Sequence, residues 1–402
     1  MTSSRHTIPV TKRADEIKYA IRDIEVHATK LERKGIDILK LNIGDPVKYD
    51  FDTPDFVKEA CINAIRDGNN FYGPSSGIPE LLENIVGKER REGNRILQEN
   101  VLVTTGVTES LQILIGATFQ KGERFLIPGP SYPPYITYTR FFNGDPVPYH
   151  TIEEEDWQPD IDDIRKKITD DTRALAVINP NNPTGALYGE KTLKEIIDVV
   201  GEHKGMYLVS DQIYDKMSFE ASAINMGSLT KDVPMVVLNG ISKVFLAPGW
   251  RCGYMALNDT EGAMADIWDG VQKQARARLC SNVPSQYGLM KAFEDTYDDY
   301  LTDLNAKLKK RRDFTYKRIN EIEGLSASLP GGAFYIFPKI EDPRYQDDED
   351  FVLKILKNCH VLTVHGSGFC PVYGKGHFRI VFLPKEKILG EALDRIDRFL
   401  KL

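Results

Sequence analysis

Short apolar runs rich in β-branched residues alternate with helical patterns along most of this 402-residue chain. The runs are VLVTTG at 101–106, RFLIPG at 124–129, ALAVINP at 174–180, MYLVSDQIY at 206–214 and PMVVLNGIS at 234–242. Segments such as TESLQILIGATF and EKTLKEIIDVVGEH lie between them and have the apolar spacing of helices. The alternation predicts an α/β fold with a largely parallel sheet, covered by helices on both faces, whose reactive groups gather at the carboxyl ends of the strands.

The pattern changes after about residue 290. A long charged amphipathic stretch, DYLTDLNAKLKKRRDFTYKRINEIEG, precedes the short runs AFYIFPK, VLTVHG and HFRIVFL and two further helical patterns. We therefore expect a large domain over 53–290 and a smaller α+β domain over 291–402. Residues 1–52 have too little apolar surface to fold alone, so we expect this amino-terminal segment to pack on the smaller domain.

Charge and composition disfavour several kinds of partner. The 52 Lys and Arg residues against 59 Asp and Glu give a net charge of -7, which repels the backbone of nucleic acid. No window approaches a membrane-spanning apolar run, and the first residues lack the apolar core of a signal peptide. Five cysteines without a CxxC pair favour a reducing cytoplasm over a disulfide framework.

Two further features are not expected to form binding sites. A group of cysteines and histidines near the carboxyl end lacks the paired spacing of metal ligands, so we expect no metal site. Its members are Cys359, His360, His365, Cys370 and His377. The basic run KLKKRR at 307–312 has the acidic neighbours Asp303 and Asp313, so a solvated helix face is expected there, not a nucleic-acid patch.

Four segments concentrate the residues that could carry chemistry: NPNNPTG at 179–185, SDQIYD at 210–215, NGISKVFLAPGWR at 239–251 and HFRIVFL at 377–383. In this order they resemble the fold-type I pyridoxal-phosphate aminotransferases, and LNIGDP, NNFYGPSSGIPEL, TTGVTESLQ, PGPSYPPY and RLCSNVPSQ extend the resemblance nearly end to end. Within that family the chain is most similar to the bacterial and archaeal alanine (glutamate–pyruvate) aminotransferases. The resemblance implies a homodimeric enzyme with shared active sites that uses pyridoxal 5'-phosphate. Its implied reaction exchanges an amino group between L-alanine or L-glutamate and pyruvate or 2-oxoglutarate by a ping-pong mechanism.

The resemblance assigns the catalytic chemistry to three residues. Lys243 directly follows an apolar strand, where loss of solvation would lower its pKa, and would supply the amine that holds the cofactor and moves a proton. Asp211 ends the strand MYLVS and would keep the pyridine nitrogen protonated. Tyr214, with Asn182, would hydrogen-bond the phenolic oxygen of the cofactor. The alternatives are a surface lysine, a helix-capping aspartate and a turn asparagine. Gln212 stands where many relatives carry glutamate.

The phosphate needs anion ligands, and TGVTESLQ places a glycine turn where a strand passes into a helix. The backbone N–H groups of Val107 and Thr108 and the helix dipole would receive the phosphate there. The Thr108 hydroxyl, Ser242 and Arg251 would complete the site. Gly240 stands where relatives often have serine, so Ser242 or water must take more of that role. By itself TTGVT is also compatible with a simple loop and helix cap.

Two tyrosines have implied roles at the cofactor. Tyr132, in PSYPPY, matches the aromatic residue that stacks on the cofactor ring, although a tyrosine flanked by prolines is equally compatible with packing. Tyr72 matches a tyrosine that reaches the cofactor phosphate of the neighbouring subunit. That role makes the site dependent on dimerisation.

A substrate with an α-carboxylate calls for a guanidinium. Arg379 lies inside the strand HFRIVFL, where burying an unpaired cation would be costly, so a partner is implied. We expect the partner of Arg379 to be a substrate carboxylate, and a structural glutamate is the alternative. Asn182 is expected beside the substrate, and Gly44 in NIGDP would let the backbone approach the same carboxylate. Tyr19 lies on the amino-terminal segment, which we expect to close over the site.

The second carboxylate of glutamate needs a cation that is mobile or solvated when alanine is bound. Arg22, on the same amino-terminal segment, is one candidate. The other interpretation of Arg22 is a solvated helix residue paired with Asp23 or Glu25. Arg276 and Arg278, in QARARLCSN, are competing candidates.

Other functions remain open from the sequence. An aminotransferase for aspartate or aromatic substrates and a β-lyase would use the same scaffold. A cofactor-binding regulatory module belongs to a different class, but the 52 residues before the large domain show neither a helix-turn-helix pattern nor a basic patch.

Overall fold

The computed structural model describes residues 8–294 and 297–402. Its α-helices, in chain order, are α1 (Lys12–Asp15), α2 (Ala20–Glu32), α3 (Asp55–Arg66), α4 (Pro79–Arg91), α5 (Val107–Thr118), α6 (Pro134–Phe141), α7 (Ile161–Lys167), α8 (Glu190–Gly201), α9 (Ala265–Ala277), α10 (Val283–Phe293), α11 (Asp298–Asn320), α12 (Asp348–Cys359) and α13 (Glu386–Leu400). Among these described helices, none is both long and apolar enough to cross a membrane.

The strands, in chain order, are β1 (Leu39–Lys40), β2 (Val101–Thr104), β3 (Arg124–Gly129), β4 (Asp145–Ile152), β5 (Gln158–Pro159), β6 (Thr172–Ile178), β7 (Tyr207–Asp211), β8 (Met235–Gly240), β9 (Gly253–Asn258), β10 (Leu325–Ser326), β11 (Tyr335–Ile336), β12 (Lys339–Ile340), β13 (Val361–Leu362), β14 (Val364–His365) and β15 (Phe378–Val381).

The main sheet of the described residues has eight strands in the order β2-β9-β8-β7-β6-β3-β4-β5. The pairs from β8 through β4 are parallel, whereas β9 runs antiparallel to both of its neighbours and β5 antiparallel to β4. Along β6, Leu175 and Val177 pack into one apolar cluster, while Ala174, Ala176 and Ile178 pack into another. Both faces of the sheet are therefore buried, and the predicted α/β fold is confirmed.

A second group of strands lies outside the main sheet. Strand β15 pairs antiparallel with β11 on one side and with β14 on the other. Strand β1 pairs in parallel with β13, where Leu39 lies opposite Val361. This pairing joins the amino-terminal segment to the carboxyl-terminal part of the chain. The domain limits at residues 52 and 290 stay a prediction.

The expectation of a solvated face for the basic run at 307–312 is wrong for two of its members. The Arg311 guanidinium lies 2.7 and 2.8 Å from the two carboxylate oxygens of Asp50. The Arg312 side chain is fully buried and binds both carboxylate oxygens of Glu220. Helix α11 directs these two guanidiniums inward, where carboxylates from distant segments neutralise them.

Candidate active site

The carboxyl ends of the parallel strands meet at one edge of the main sheet. Strand β7 ends at Asp211, and β8 ends at Gly240, three residues before Lys243. Strand β2 ends at Thr104, directly before the turn that opens α5. A cavity of about 460 Å³ lies at this edge. Its size is within the range of small-molecule sites.

The cavity collects residues that are far apart in the sequence. Of the predicted site residues, it is lined by Tyr19, Arg22, Gly44, Val107, Thr108, Tyr132, Asn182, Asp211, Tyr214, Ser242, Lys243, Arg251 and Arg379. Tyr72 does not line it, and this residue is 82% exposed. Arg276 and Arg278 also lie outside its lining.

Lys243 lies in the turn that follows β8, with its amine at the cavity. Its Nζ donates a hydrogen bond to the Gly44 carbonyl oxygen at 2.9 Å. Burial lowers the pKa of Lys243 to about 8, and repulsion by Arg379 adds to that effect, while Asp45 opposes it. The neutral amine, which proton transfer and nucleophilic attack require, is therefore much more populated near neutral pH than it is for an ordinary lysine.

Asp211 is a buried carboxylate at the end of β7. Its Oδ2 accepts a hydrogen bond from the Tyr135 hydroxyl at 3.0 Å, and its Oδ1 accepts one from the Ile213 N–H at 3.2 Å. Burial raises the pKa of Asp211 to about 6, although these two hydrogen bonds oppose the rise. Within the described residues it has no ion-pair partner, so this carboxylate is suited to a positively charged N–H of a ligand.

Another part of the cavity lining is suited to an anion. Val107 and Thr108 open helix α5, where the first backbone N–H groups have no partner inside the helix. The Arg251 guanidinium donates to backbone carbonyl oxygens at 3.0 and 3.2 Å and has no carboxylate partner in the described part of the chain. Gly106, with φ 77°, makes this approach possible, because a Cβ there would lie 2.7 Å from the guanidinium.

Arg379 lies on β15 and is 1% exposed. Its Nη1 donates to Asn182 Oδ1 at 2.8 Å, and its Nη2 donates to the Asn42 carbonyl oxygen at 2.6 Å. Its Nε is buried without a hydrogen-bond partner, and across residues 8–294 and 297–402 no carboxylate pairs with this cation. The guanidinium lies over the rings of Tyr335 and Phe369, 4.4 and 4.7 Å from their centroids. The structural glutamate considered above is therefore not found among the described residues.

Several functional neighbours are not evident from the sequence. The Tyr335 hydroxyl lies 2.9 Å from the Tyr214 hydroxyl, and Tyr335 comes from β11, which pairs with the strand of Arg379. Tyr135, which bonds Asp211, lies in the same PSYPPY motif as Tyr132. In the sequence, Tyr335 is indicated only as the one tyrosine of the apolar run AFYIFPK. That signal does not distinguish a binding residue from a packing residue.

The amino-terminal segment reaches the cavity. The Tyr19 hydroxyl is 3.4 Å from the Tyr132 hydroxyl. Arg22 lines the cavity but also forms an ion pair with Glu25 at 3.1 Å, and its side chain is 60% exposed. Arg22 therefore forms the expected ion pair with a neighbouring carboxylate, and it also lines the cavity.

The donor set matches the parts of pyridoxal phosphate. One cavity is lined by an amine of lowered pKa, a buried carboxylate and an arginine that has no carboxylate partner in the described chain. Tyr132 supplies an aromatic ring in the same cavity. Arg379, with its unpartnered Nε, leaves a second place for a carboxylate. The residues present therefore fit both a phosphorylated pyridine aldehyde and an amino acid.

Comparison with known proteins agrees with this geometry. The family model for aminotransferase class I and II matches residues 36–396. The chain is similar to the alanine aminotransferase of Mycobacterium tuberculosis (34% identity, 96% of this chain and 91% of that protein). It is also similar to the glutamate-pyruvate aminotransferase AlaA of Escherichia coli (34% identity, 98% of each chain). A solved structure of alanine aminotransferase from Pyrococcus furiosus has a TM-score of 0.95 and 54% identity, and the match covers 98% of this chain and 100% of that one.

Proposed function

The chain belongs to the class I and II aminotransferases and is a pyridoxal-phosphate-dependent aminotransferase, and from this premise we propose that it transfers the amino group between L-alanine or L-glutamate and pyruvate or 2-oxoglutarate. The similar proteins named above carry the names alanine aminotransferase and glutamate-pyruvate aminotransferase, which supports this choice of substrates. The observation that carries the proposal is Arg379, a buried guanidinium at the cavity with a free Nε and no carboxylate partner in the described chain. An α-carboxylate would supply that partner.

When bound, pyridoxal phosphate supplies a ring that withdraws electrons from the α-carbon of the substrate. We propose that Asp211 holds a proton at the pyridine nitrogen and that the Tyr214 hydroxyl donates to the phenolic oxygen. Asn182 accepts from Arg379 through Oδ1, which leaves its amide nitrogen to donate to the same phenolic oxygen. Lys243 would be the residue that accepts and moves the proton leaving the α-carbon.

The phosphate ligands in this proposal come from three segments. The backbone N–H groups of Val107 and Thr108, the Thr108 hydroxyl and the Ser242 hydroxyl donate to phosphate oxygens. Arg251 supplies the countercharge, and its lack of a carboxylate partner in the described residues supports this role. Tyr132 stacks on the ring.

The experiment that tests the function uses the purified protein loaded with pyridoxal phosphate. Alanine, glutamate, aspartate, tyrosine and tryptophan are added one at a time without an oxoacid, and the absorbance of the bound cofactor is followed. We expect alanine and glutamate to convert it fastest. Preference for aspartate or an aromatic amino acid would assign the alternative specificity, and release of ammonia with pyruvate would assign a β-lyase.

Replacing Arg379 by lysine should weaken substrates far more than cofactor. One ammonium group cannot reproduce the paired hydrogen bonds of a guanidinium, so we expect kcat/KM for alanine to fall roughly 100-fold. The dissociation constant of pyridoxal phosphate is the internal control and should stay nearly constant. Loss of cofactor affinity with unchanged kcat/KM would contradict the role.

Arg22→Ala should impair glutamate selectively. Glutamate carries a second carboxylate and alanine a methyl group, so loss of a charge-assisted hydrogen bond should lower kcat/KM for glutamate by about 10-fold or more and leave alanine nearly unchanged. Arg165→Ala is the matched control, because Arg165 is also an exposed arginine paired with a carboxylate and lies outside the cavity. Equal losses on both substrates would make Arg22 a structural residue, and a glutamate-specific loss in Arg276→Ala or Arg278→Ala would assign the role to that residue.

We also propose that the enzyme is a homodimer in which Tyr72 binds the cofactor phosphate of the neighbouring subunit. Phe71, Tyr72 and Leu279 are 61%, 82% and 55% exposed, which supports a surface that a second copy covers. Light scattering should give twice the chain mass. Tyr72→Phe should then weaken pyridoxal phosphate about 10-fold without altering the mass, because one hydrogen bond to a charged group is lost. A monomer with unchanged cofactor affinity in Tyr72→Phe would contradict both statements.

The five cysteines are free thiols in the structure, and Cys252, Cys359 and Cys370 are buried. This supports our proposal that the enzyme works in a reducing compartment, the cytoplasm. Cell fractionation with an antibody to the chain tests it.

A further inference from the structure

A buried polar network lies behind the two segments that carry Asp211 and Lys243, outside the lining of the active-site cavity. Its central members are Lys88 and Glu89 of α4, Asp215 and Asn239. Lys88, Glu89 and Asn239 are 8%, 0% and 2% exposed. Charged and polar groups at this depth must be matched with partners, because an unmatched one is costly.

The partners meet at one carboxylate oxygen. Asp215 Oδ2 accepts a hydrogen bond from Asn239 Nδ2 at 2.9 Å and lies 3.2 Å from Lys88 Nζ. The same ammonium lies 3.0 Å from Glu89 Oε1. Burial disfavours the charge of Lys88, but attraction by Glu89, Tyr254 and Asp215 outweighs burial and raises its pKa, so the cation persists.

The contact between Asp215 and Asn239 joins the chain segments that carry the proposed catalytic residues. Strands β7 and β8 pair in parallel up to Asp211 opposite Leu238, where the ladder ends. Asp215 follows Tyr214 directly, and Asn239 precedes Lys243 by four residues. The hydrogen bond between the Asp215 and Asn239 side chains therefore joins the two segments beyond Asp211 and Leu238, the last paired residues of β7 and β8.

We propose that Asp215 and Asn239 are positioning residues, whose hydrogen bond, held by Lys88, fixes the segment of Asp211 and Tyr214 against the segment of Lys243. This inference rests on the proposed roles of those residues at the cofactor. A buried ion pair adds little net stability, since the loss of solvation offsets most of the attraction. In this proposal the network holds the Asp211 and Lys243 segments at a fixed separation, which both need in order to contact the same cofactor.

The test is an exchange of the two side chains. Asn239→Asp sets two carboxylates against each other, and Asp215→Asn removes the charge beside Lys88. The double variant again pairs a carboxylate with an amide, in reversed order. We expect Asn239→Asp to weaken pyridoxal phosphate binding at least about tenfold and the double variant to recover most of that loss, as directly coupled residues do.

The matched control is Asn258→Asp, which buries a carboxylate on the neighbouring strand β9 at the far end of β8, opposite Met235. Besides the dissociation constant, the readout is the pH midpoint of the absorbance of the bound cofactor. This midpoint should shift in Asn239→Asp, return in the double variant and stay constant in the control. A role in stability alone would lower the unfolding midpoint without moving the absorbance midpoint.

Independent effects of the two substitutions, or equal effects of Asn239→Asp and Asn258→Asp on the cofactor, would overturn the inference. Should Asn239→Asp fail to fold, Asp215→Asn takes its place: an absorbance midpoint that shifts in Asp215→Asn and returns in the double variant would support the inference, and an unmoved midpoint would overturn it. A wild-type chain that does not bind pyridoxal phosphate would overturn the proposed function as well. Normal wild-type binding with additive variants would overturn this inference alone.

Discussion

Lys243→Ala should lower turnover by at least about 10³-fold while the protein stays folded, because loss of a positioned acid–base group alone costs up to four orders of magnitude. The cofactor should still bind without the lysine, since Arg251 and the amino terminus of α5 remain. Steady-state kinetics with alanine and 2-oxoglutarate measure the first effect, and equilibrium dialysis with pyridoxal phosphate measures the second. Lys194→Ala, which removes an exposed lysine paired with Glu190, should behave as wild type. Normal turnover in Lys243→Ala would refute the assignment.

The protonation of Lys243 should also be visible in the apo protein. Because its pKa is lowered from 10.5 to about 8, its reaction with an amine-directed reagent should reach half its limiting rate near pH 8. A lysine with the ordinary pKa would do so near pH 10.5. Below pH 8 the buried Lys243 ammonium lowers the stability of the folded protein. This loss decreases as the pH rises from 8 toward 10.5, because in that range the unfolded chain binds the proton more tightly than the folded protein does. Peptide mapping after brief labelling measures the midpoint, and a value near 10.5 for Lys243 would contradict the lowered pKa.

Asp211→Asn is the second large effect, and it should act in opposite directions on activity and on stability. Turnover should fall by about 10²-fold or more, because an amide cannot hold the positive charge at the pyridine nitrogen. The apo variant should be more stable than wild type at pH 7.5, since the substitution removes a buried carboxylate whose ionisation is costly. The raised pKa of about 6, against an ordinary value of 3.8, corresponds to an increase of about 3 kcal/mol.

The pH dependence of this difference has a definite sign. The folded wild type binds the Asp211 proton more tightly than the unfolded chain does, so its advantage is complete below pH 3.8 and is lost as the pH rises through about 6. The variant has no such loss. Urea unfolding should therefore give similar stabilities at pH 3.8 and a more stable variant at pH 7.5. A variant that is active, or less stable at pH 7.5, would show that the carboxylate has a structural role.

The local pattern of the chain accounted for the residues at strand ends. Asp211 and Lys243 come at or shortly after the ends of apolar strand patterns, and in a parallel sheet the ends of such strands lie at one edge. Strand polarity therefore predicts that both residues lie at the same edge, and the structure places both in the lining of one cavity. Arg379 could likewise be predicted to have a partner, because a cation inside an apolar strand must be matched.

Other parts of the site depend on contacts between distant segments, which no local pattern encodes. Tyr335 reaches the Tyr214 hydroxyl only because β11 pairs with β15, and the residues of this contact are 121 positions apart. Arg311 and Arg312 were predicted to be solvated. That prediction failed because the local sequence does not show that Asp50 and Glu220 bind these two guanidiniums in the folded protein. Tyr72 stays a prediction, because its proposed partner belongs to a second copy of the chain.

The sequence by itself determined the fold class, because the alternation of apolar runs and helical patterns is a local property, and the resemblance of its motifs to a family supplied the predicted site residues. The sequence predicted a lowered pKa for Lys243, but only the tertiary structure decided how far the pKa values shift and which neighbours cause the shifts. The pKa values of Lys243 and Asp211 depend on burial and on neighbours such as Arg379 and Tyr135, which reach them from elsewhere in the chain. Charge interactions and loss of solvation act through space, so they are set only when the packed segments meet.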